Sequence, residues 1–154
     1  IGLRGLCEGE IPCLIYEHMQ GGSLASLLQN DARAQRFGAT QRTLVLADIA
    51  EALAFLHEAG LGPTPVNPRV SHAVVLHRDI NSSNVLLSSD NRAKLGDFGL
   101  SAMVHSYDLV NDYLVCGDQV VGQWLWSSPE AQEQGNCTAS DVYALGLIML
   151  QLLS

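Results

Sequence analysis

Between Ala73 and Leu87 the sequence runs apolar, polar, apolar: Ala73-Val74-Val75-Leu76, then His77-Arg78-Asp79-Ile80-Asn81-Ser82-Ser83-Asn84, then Val85-Leu86-Leu87. Apolar segments on both sides pin the ends of the polar loop to a core. An acid and an amide within it, Asp79 and Asn84, can therefore reach one site from one rigid turn. Such a pairing suits phosphoryl transfer, where catalysis is mostly positioning and charge stabilisation.

Val85 to Leu87 and Ala93 to Leu95 flank the polar run Ser88-Ser89-Asp90-Asn91-Arg92, which predicts a strand hairpin that delivers Asp97 beside Asn84. Alone, an Asp shortly before a Gly is usually a turn residue. Together, H-R-D-x-x-x-x-N and the following Asp97-Phe98-Gly99 resemble the catalytic loop and metal-binding triplet of protein kinases. The resemblance implies an α+β, protein-kinase-like fold, ATP and Mg2+ as cofactors, and a protein substrate. It implies that Asp79 accepts the proton of the substrate hydroxyl and that Asn84 and Asp97 ligate the metal. Arg78 would hold a phosphorylated or acidic activation segment, Leu86 would floor the adenine pocket, and His77 would pack on Phe98 rather than act as acid or base. Asn81 stands where serine/threonine kinases often carry Lys, which removes a cation near the transferred phosphate.

Further pieces fall in the same order. Ile1 to Gly9 and Ile11 to Met19 read as two extended segments around the turn Glu8-Gly9-Glu10. The stretch Leu14-Ile15-Tyr16-Glu17-His18-Met19-Gln20-Gly21-Gly22-Ser23-Leu24 resembles the last small-lobe strand and hinge of kinases. By that match Tyr16 is the gatekeeper, and the backbones of Glu17 and Met19 bind the adenine edge. The plainer reading is a strand ending in a Gly-Gly turn before a helix capped by Ser23. Residues 40–58 predict an amphipathic helix with Thr40 as N-cap, an apolar stripe at Leu46, Ile49, Ala50, Leu53 and Leu56, and Asp48, Glu51 and Glu58 on another face. Gly60 would end it, and Pro63, Pro65 and Pro68 imply a surface loop, longer than kinases usually have at this point.

Leu100 to Ser128 reads as irregular, with hydroxyls at Ser101, Ser106, Tyr107 and Tyr113 that suit an activation segment switched by phosphorylation. Gly122 to Glu130 resembles the kinase stretch ending in Ala-Pro-Glu, with Gln123 in place of Thr and Ser128 in place of Ala. Glu130 and Asp141 complete the implied activation-segment support. Trp126 reads as core. Thr138-Ala139-Ser140-Asp141 has the form of a capping box, whereas the kinase pattern makes Asp141 an acceptor for the backbone of the catalytic loop. Val142 to Leu153 is apolar nearly all round and predicts a buried helix, being shorter than the roughly 20 residues needed to span a bilayer.

A chain of 154 residues with 47% hydrophobic content can build one core. Its net charge of −8, without a Lys or Arg cluster, argues against nucleic acid and against an anionic membrane as partner. The four cysteines, Cys7, Cys13, Cys116 and Cys137, lack paired metal-ligand spacing and read as free thiols in a reducing compartment.

The resemblance covers nearly the whole chain: residues 1–19 as the end of the small lobe and hinge, 20–154 as the large lobe through its central helix. A glycine-rich G-x-G-x-x-G loop, a strand Lys for the phosphates and a helix Glu are not found in the sequence, which implies a partial kinase domain. The motifs look most like tyrosine-kinase-like and plant receptor-like serine/threonine kinases. The implied setting is cytoplasmic, as a free enzyme or as the intracellular domain of a membrane receptor. Two other classes remain: a pseudokinase or signalling scaffold, disfavoured by retention of Asp79, Asn84 and Asp97 together, and a small-molecule phosphotransferase, disfavoured by Arg78 and the Ser128-Pro129-Glu130 element.

Overall fold

Residues 1–58, 73–105, 109–110, 113–114 and 122–154 are described in the computed structural model of this chain. The two extended segments at the start pair as an antiparallel hairpin, β1 (Leu3–Cys7) with β2 (Cys13–Tyr16). Gly21 follows at a tight approach. Its N–H donates to the Leu87 carbonyl at 2.8 Å, and a Cβ at this position would sit 2.7 Å from Leu87 backbone and side chain, so only glycine fits. The chain then enters β3 (Gly22–Ser23), which pairs with β5 (Val85–Leu87); β5 pairs in turn with β6 (Ala93–Leu95). The expected hairpin β5–β6 therefore lies within a three-stranded antiparallel sheet.

Ser23 caps α1 (Leu24–Leu28) as expected, its Oγ accepting the Ser26 N–H at 3.1 Å, and Asn30 caps α2 (Asp31–Arg36) in the same way. The long helix α3 spans Ala39–Glu58. Thr40 is not its N-cap: the Gly38 carbonyl already accepts the Arg42 N–H, so the helix begins earlier and Thr40 lies inside the first turn. The buried stripe is Val45, Ile49, Leu53 and Leu56, with Leu46 half-buried and Ala50 exposed. The core face is thus turned toward Val45 relative to the expected stripe, because α3 packs against β4, β6 and α5 on that side. Gly60 and the proline-rich run 60–71 lie outside the described residues.

β4 (Ala73–Leu76) pairs antiparallel with β7 (Ala102–His105). The segment after Phe98 is therefore not irregular throughout. Strand alternation buries Val104 against Val74 and Leu76 while Met103 stays exposed, and that small cluster pulls residues 102–105 into a ladder. A two-residue ladder joins β8 (Leu109–Val110) to β9 (Tyr113–Leu114), which holds the backbone of Tyr113; Ser106 and Tyr107 lie outside the described residues. After a 3-10 turn at Trp124–Trp126 come α4 (Pro129–Gln134) and α5 (Thr138–Leu153).

The start of α5 is closed by Ser140, whose Oγ accepts the Cys137 N–H at 3.1 Å; the capping pair is Cys137 and Ser140 rather than Thr138 and Asp141. Although apolar nearly all round, α5 is not buried all round. Ala144, Ile148 and Leu152 face the main core with α1, α3 and the β5–β6 hairpin, while Val142, Tyr143, Met149, Leu150 and Leu153 are exposed. Arg42 fastens the start of α3 to the end of α5 by donating from Nε to the Phe37 carbonyl at 2.9 Å and from a terminal nitrogen to the Leu152 carbonyl. Trp126 packs partly buried against the same core, in line with its reading as a core residue.

Candidate active site

The polar loop between β4 and β5 is built around a buried carboxylate that belongs to neither strand. Asp141, in the first turn of α5, accepts the backbone N–H of His77 at 2.9 Å on Oδ2 and that of Arg78 at 3.0 Å on Oδ1. It also meets His57 Nε2, from the last turn of α3, at 3.0 Å. Arg78 sits at φ 66°, a left-handed conformation that a residue with a side chain adopts only when its surroundings hold it. The two N–H bonds to Asp141 and an Arg78 Nε bond to the Leu100 carbonyl at 2.5 Å are among the contacts that do so.

The next residue, Asp79, is thereby aimed out of the turn. Asn84 Nδ2 donates to Asp79 Oδ2 at 2.8 Å and to the Asp79 carbonyl at 2.8 Å, which orients the carboxylate and leaves Asn84 Oδ1 as the amide's acceptor atom. Among the described residues Asp79 Oδ1 is buried without a hydrogen-bond partner, an acceptor with open capacity at the mouth of the turn. The Gly122 backbone closes over the loop. At φ +101°, with a Cβ that would meet the Arg78 carbonyl at 2.3 Å and Asp79 Oδ1 at 3.4 Å, position 122 requires glycine.

Asn81 does more than leave out a cation. It is fully buried, its Oδ1 accepts the N–H groups of Ser83 (2.9 Å) and Asn84 (3.2 Å), and its Nδ2 donates to the Asp79 carbonyl at 3.1 Å. An Asx turn of this kind holds Asp79 and Asn84 at fixed separation. His57 and Asn81 are site residues that local pattern reading missed: His57 is distant in sequence, whereas an Asn opening a Ser-Ser-Asn turn was a usable signal.

Asp97 comes to the same edge from the sheet. The register Val85↔Leu95 and a bond from Gly96 N–H to the Asn84 carbonyl at 2.9 Å set the chain so that Asp97 follows directly beside the loop. At φ 58° its carboxylate is exposed, with Oδ1 accepting the Gly99 N–H at 3.2 Å. Asn84 Oδ1 and the Asp97 carboxylate are hard oxygen donors, the kind that suits Mg2+, which keeps waters and substrate phosphates as its remaining ligands. Among the described residues there is no cluster of three or more His, Cys, Asp or Glu side chains that would form a cage of protein ligands alone. The donor set thus fits a metal shared with phosphates. Phe98 packs against His77 in a tilted arrangement, with ring centroids 4.7 Å apart and ring planes at 51°. His77 is fully buried, donates through Nε2 to the Gly96 carbonyl at 3.1 Å, and is pushed below the usual imidazole range chiefly by burial, with Asp141 opposing. A neutral, enclosed imidazole of this kind braces the triplet and makes no contact with solvent.

The hinge residues lie at the end of β2, in the separate β1–β2 sheet, and in the segment that follows it. Tyr16, half exposed, ends β2; Met19 is buried with its carbonyl accepting the Gly22 N–H at 3.1 Å. Glu17 bonds Gly2 twice, donating its N–H to the Gly2 carbonyl at 3.0 Å and accepting the Gly2 N–H on Oε1 at 2.7 Å. Lys94 Nζ donates to the same Oε1 at 2.7 Å, and together these hydrogen bonds pull the Glu17 carboxyl down to about 2. Lys94 is the cross-strand partner of Leu86, so the bond lies on Leu86's face of the sheet and ties the hinge to the strand leading into Asp97. Glu130 stands exposed in the first turn of α4 and, among the described residues, makes no hydrogen bond or ion pair to the loop. Its neighbour Ser128, buried, caps α4 by accepting the Ala131 N–H at 3.2 Å, and its hydroxyl lies 3.4 Å from that of Ser140. A cavity of about 470 Å3 is lined by α3 and β6 residues such as Asp48, Phe55 and Leu95; neither Asp79 nor Asn84 borders it, so it is not the seat of this chemistry.

Comparison with known proteins points the same way. A family model described as "Protein kinase domain" matches residues 7–154. The chain is similar to the L-type lectin-domain containing receptor kinase V.4 of Arabidopsis thaliana, 35% identical over 154 residues, covering 99% of this chain and 21% of that protein. It is similar to U-box domain-containing protein 52 of the same plant, 36% identical over 155 residues, covering 99% of this chain and 17% of that protein. A third relative, the serine/threonine-protein kinase BIK1 of Arabidopsis thaliana, is 38% identical over 157 residues, covering 100% of this chain and 36% of that protein. The chain thus spans about a third or less of the length of these relatives.

Proposed function

Because the chain belongs to the protein kinase family, we propose that it forms part of an ATP-dependent protein kinase that phosphorylates Ser or Thr hydroxyls of a protein substrate. The observation that carries this reading is Asp79 itself: a carboxylate oriented by Asn84 through Oδ2, with Oδ1 buried and unbonded. In this role Asp79 accepts the proton of the substrate hydroxyl and aims the oxygen for in-line attack. Asn84 and Asp97 would hold Mg2+, which when bound neutralises charge on the phosphate oxygens. Tyr16, the Glu17 and Met19 backbones and Leu86 would form the adenine side of the cleft. Arg78, Glu130 and Asp141 would support the activation segment, Asp141 by fixing the loop backbone and Arg78 by meeting the segment after the metal triplet. The Ser/Thr preference is supported by the similarity to the serine/threonine-protein kinase BIK1, and a cytoplasmic setting by the receptor kinases among the relatives.

The test is Asp79→Asn in the full-length protein. Turnover is expected to fall by orders of magnitude while Mg-nucleotide affinity stays near wild type, because Asp79 meets the hydroxyl and Asp97 the metal. Near-normal turnover in Asp79→Asn would overturn the assignment. Phosphoamino-acid analysis of the wild-type products is expected to give phosphoserine and phosphothreonine; mainly phosphotyrosine would refute the specificity.

A further inference from the structure

Two of the cysteines that look scattered in the sequence face each other in the fold. The β1–β2 register places Cys7 directly opposite Cys13, next to Leu6↔Leu14 and Gly5↔Ile15. Residues directly opposite in an antiparallel pair have Cα atoms about 4.5–5.5 Å apart and side chains on the same face. That separation falls within the range of about 4.4–6.8 Å that a disulfide spans without backbone movement. Both thiols are free and exposed, whereas Cys137 is buried beside Ser140; Cys116 lies outside the described residues. Only Glu8 to Pro12 separate the pair, and the turn already holds the strand ends together, so closing a bond adds little loop-closure entropy. The Cys13 thiol donates to the Ile11 carbonyl at 3.4 Å, a weak contact that a rotation of the side chain gives up.

We propose that Cys7 and Cys13 form a redox-modification site, a dithiol that a peroxide converts to an intramolecular disulfide across the end of the hairpin. The thiolate of one cysteine attacks a peroxide oxygen; the O–O bond breaks, one oxygen departs as water after protonation, and the sulfur becomes a sulfenic acid. The second thiol then attacks that sulfur, the S–S bond forms, the S–O bond breaks, and the hydroxyl leaves as a second water. Two thiols lose two electrons and hydrogen peroxide is reduced to two waters, so nothing further is consumed. A dithiol reductant reverses the change. The site lies on the strand that runs from Cys13 through Tyr16 into Glu17, so the bond stiffens the strand feeding the hinge. The inference rests on strand register and exposure alone and stands independently of any phosphoryl transfer.

The experiment treats the purified full-length protein with hydrogen peroxide, blocks the remaining thiols by alkylation, and digests it without reduction using a protease that cuts after Glu. Cleavage after Glu8 and Glu10 separates the two cysteines, so a disulfide appears by mass spectrometry as two peptides held together. The expected result is a Cys7–Cys13 linked pair within one chain, lost on treatment with dithiothreitol. It should be absent from both Cys7→Ser and Cys13→Ala, in which the remaining cysteine is trapped by a sulfenic-acid reagent instead. Thermal unfolding provides a second measurement: the oxidised wild type melts higher than the reduced, and neither variant shows the shift. Recovery of Cys7 and Cys13 both alkylated, or either one joined to a different cysteine or to a second molecule, would overturn the proposal. So would sulfinic acid on one cysteine with its neighbour still free.

Discussion

At Asn81 a single side chain satisfies three groups of the loop at once, the N–H of Ser83, the N–H of Asn84 and the carbonyl of Asp79. Asn81→Ala removes all three bonds; the Asn84 N–H keeps the residue-81 carbonyl at 3.0 Å and the Asp79 carbonyl keeps Asn84 Nδ2, so the loss falls mainly on the Ser83 N–H and on the rigidity of the turn, a cost of about 0.5–1.5 kcal/mol. A lowered denaturation midpoint is expected, together with a loss of kcat larger than any change in nucleotide KM; Asn81→Asp, which keeps both accepted bonds, should recover part of the stability. Titration by hydrogen exchange or calorimetry showing Asn81→Ala as stable as wild type would contradict the turn-forming role. His77 makes a separate prediction. Its pKa in the fold is lowered from the ordinary 6.5, mainly by burial. The unfolded chain therefore binds a proton there more readily than the folded one, and stability is intact above about 6.5 and declines as pH falls below it. The melting temperature should drop between pH 7 and 5, with a shallower drop in His77→Phe, which keeps an aromatic ring against Phe98. Parallel profiles for the two proteins would show that His77 is not the group responsible.

At the scale of elements, α3 is stapled to the β5–β6 hairpin by Asp48. This carboxylate, only 7% exposed, is gripped by Arg92 through Nε at 3.0 Å and a terminal nitrogen at 2.6 Å, and accepts the Ala93 N–H at 2.8 Å. The helical pattern put Asp48 on another face than the apolar stripe; the structure uses it to fix the turn end of the hairpin whose open end carries both Asn84 and Asp97. Arg92 is 57% exposed and solvent screens its share of the pair, so the larger loss on removing Asp48 comes from the stranded Ala93 N–H. Asp48→Ala should destabilise by about 1–3 kcal/mol, and Arg92→Met by less. The Asp48 carboxyl lies below its ordinary 3.8, chiefly through the Arg92 hydrogen bond, so the staple is whole above that pH and is lost as acid takes the carboxyl through its folded pKa. Acid unfolding of Asp48→Asn that follows the wild-type curve at pH 4 and below would rule the staple out.

For the whole molecule, the notable property is how much large apolar surface the described residues leave uncovered. Ile11 is 78% exposed, Leu3, Leu6, Leu14 and Ile15 of the first hairpin are exposed beside it, and Leu150 at 63% lies with Met149 and Leu153 on the outer side of α5. Patches of this extent drive association in water. The 154-residue polypeptide expressed by itself should therefore self-associate, and sedimentation showing a monomer that melts cooperatively would refute this. Much of the architecture behind that surface could be read in the sequence. Polar turns between short apolar runs announced the hairpins β1–β2 and β5–β6, Ser23 announced the cap of α1, and the polar loop between two apolar runs announced the turn that brings Asn84 to Asp79, because turns, caps and strand alternation are set by neighbours in the chain. The bond from Asp141 to the backbone of His77 and Arg78 was expected from the kinase resemblance and is present, but local pattern alone could not reveal it, nor the reach of His57 to that same carboxylate, the staple from Asp48 to Arg92, or the strand at 102–105. Each of these depends on a partner more than two dozen residues away, and a partner at that distance exists only after the core has packed and fixed which faces of α3, α5 and the sheets meet.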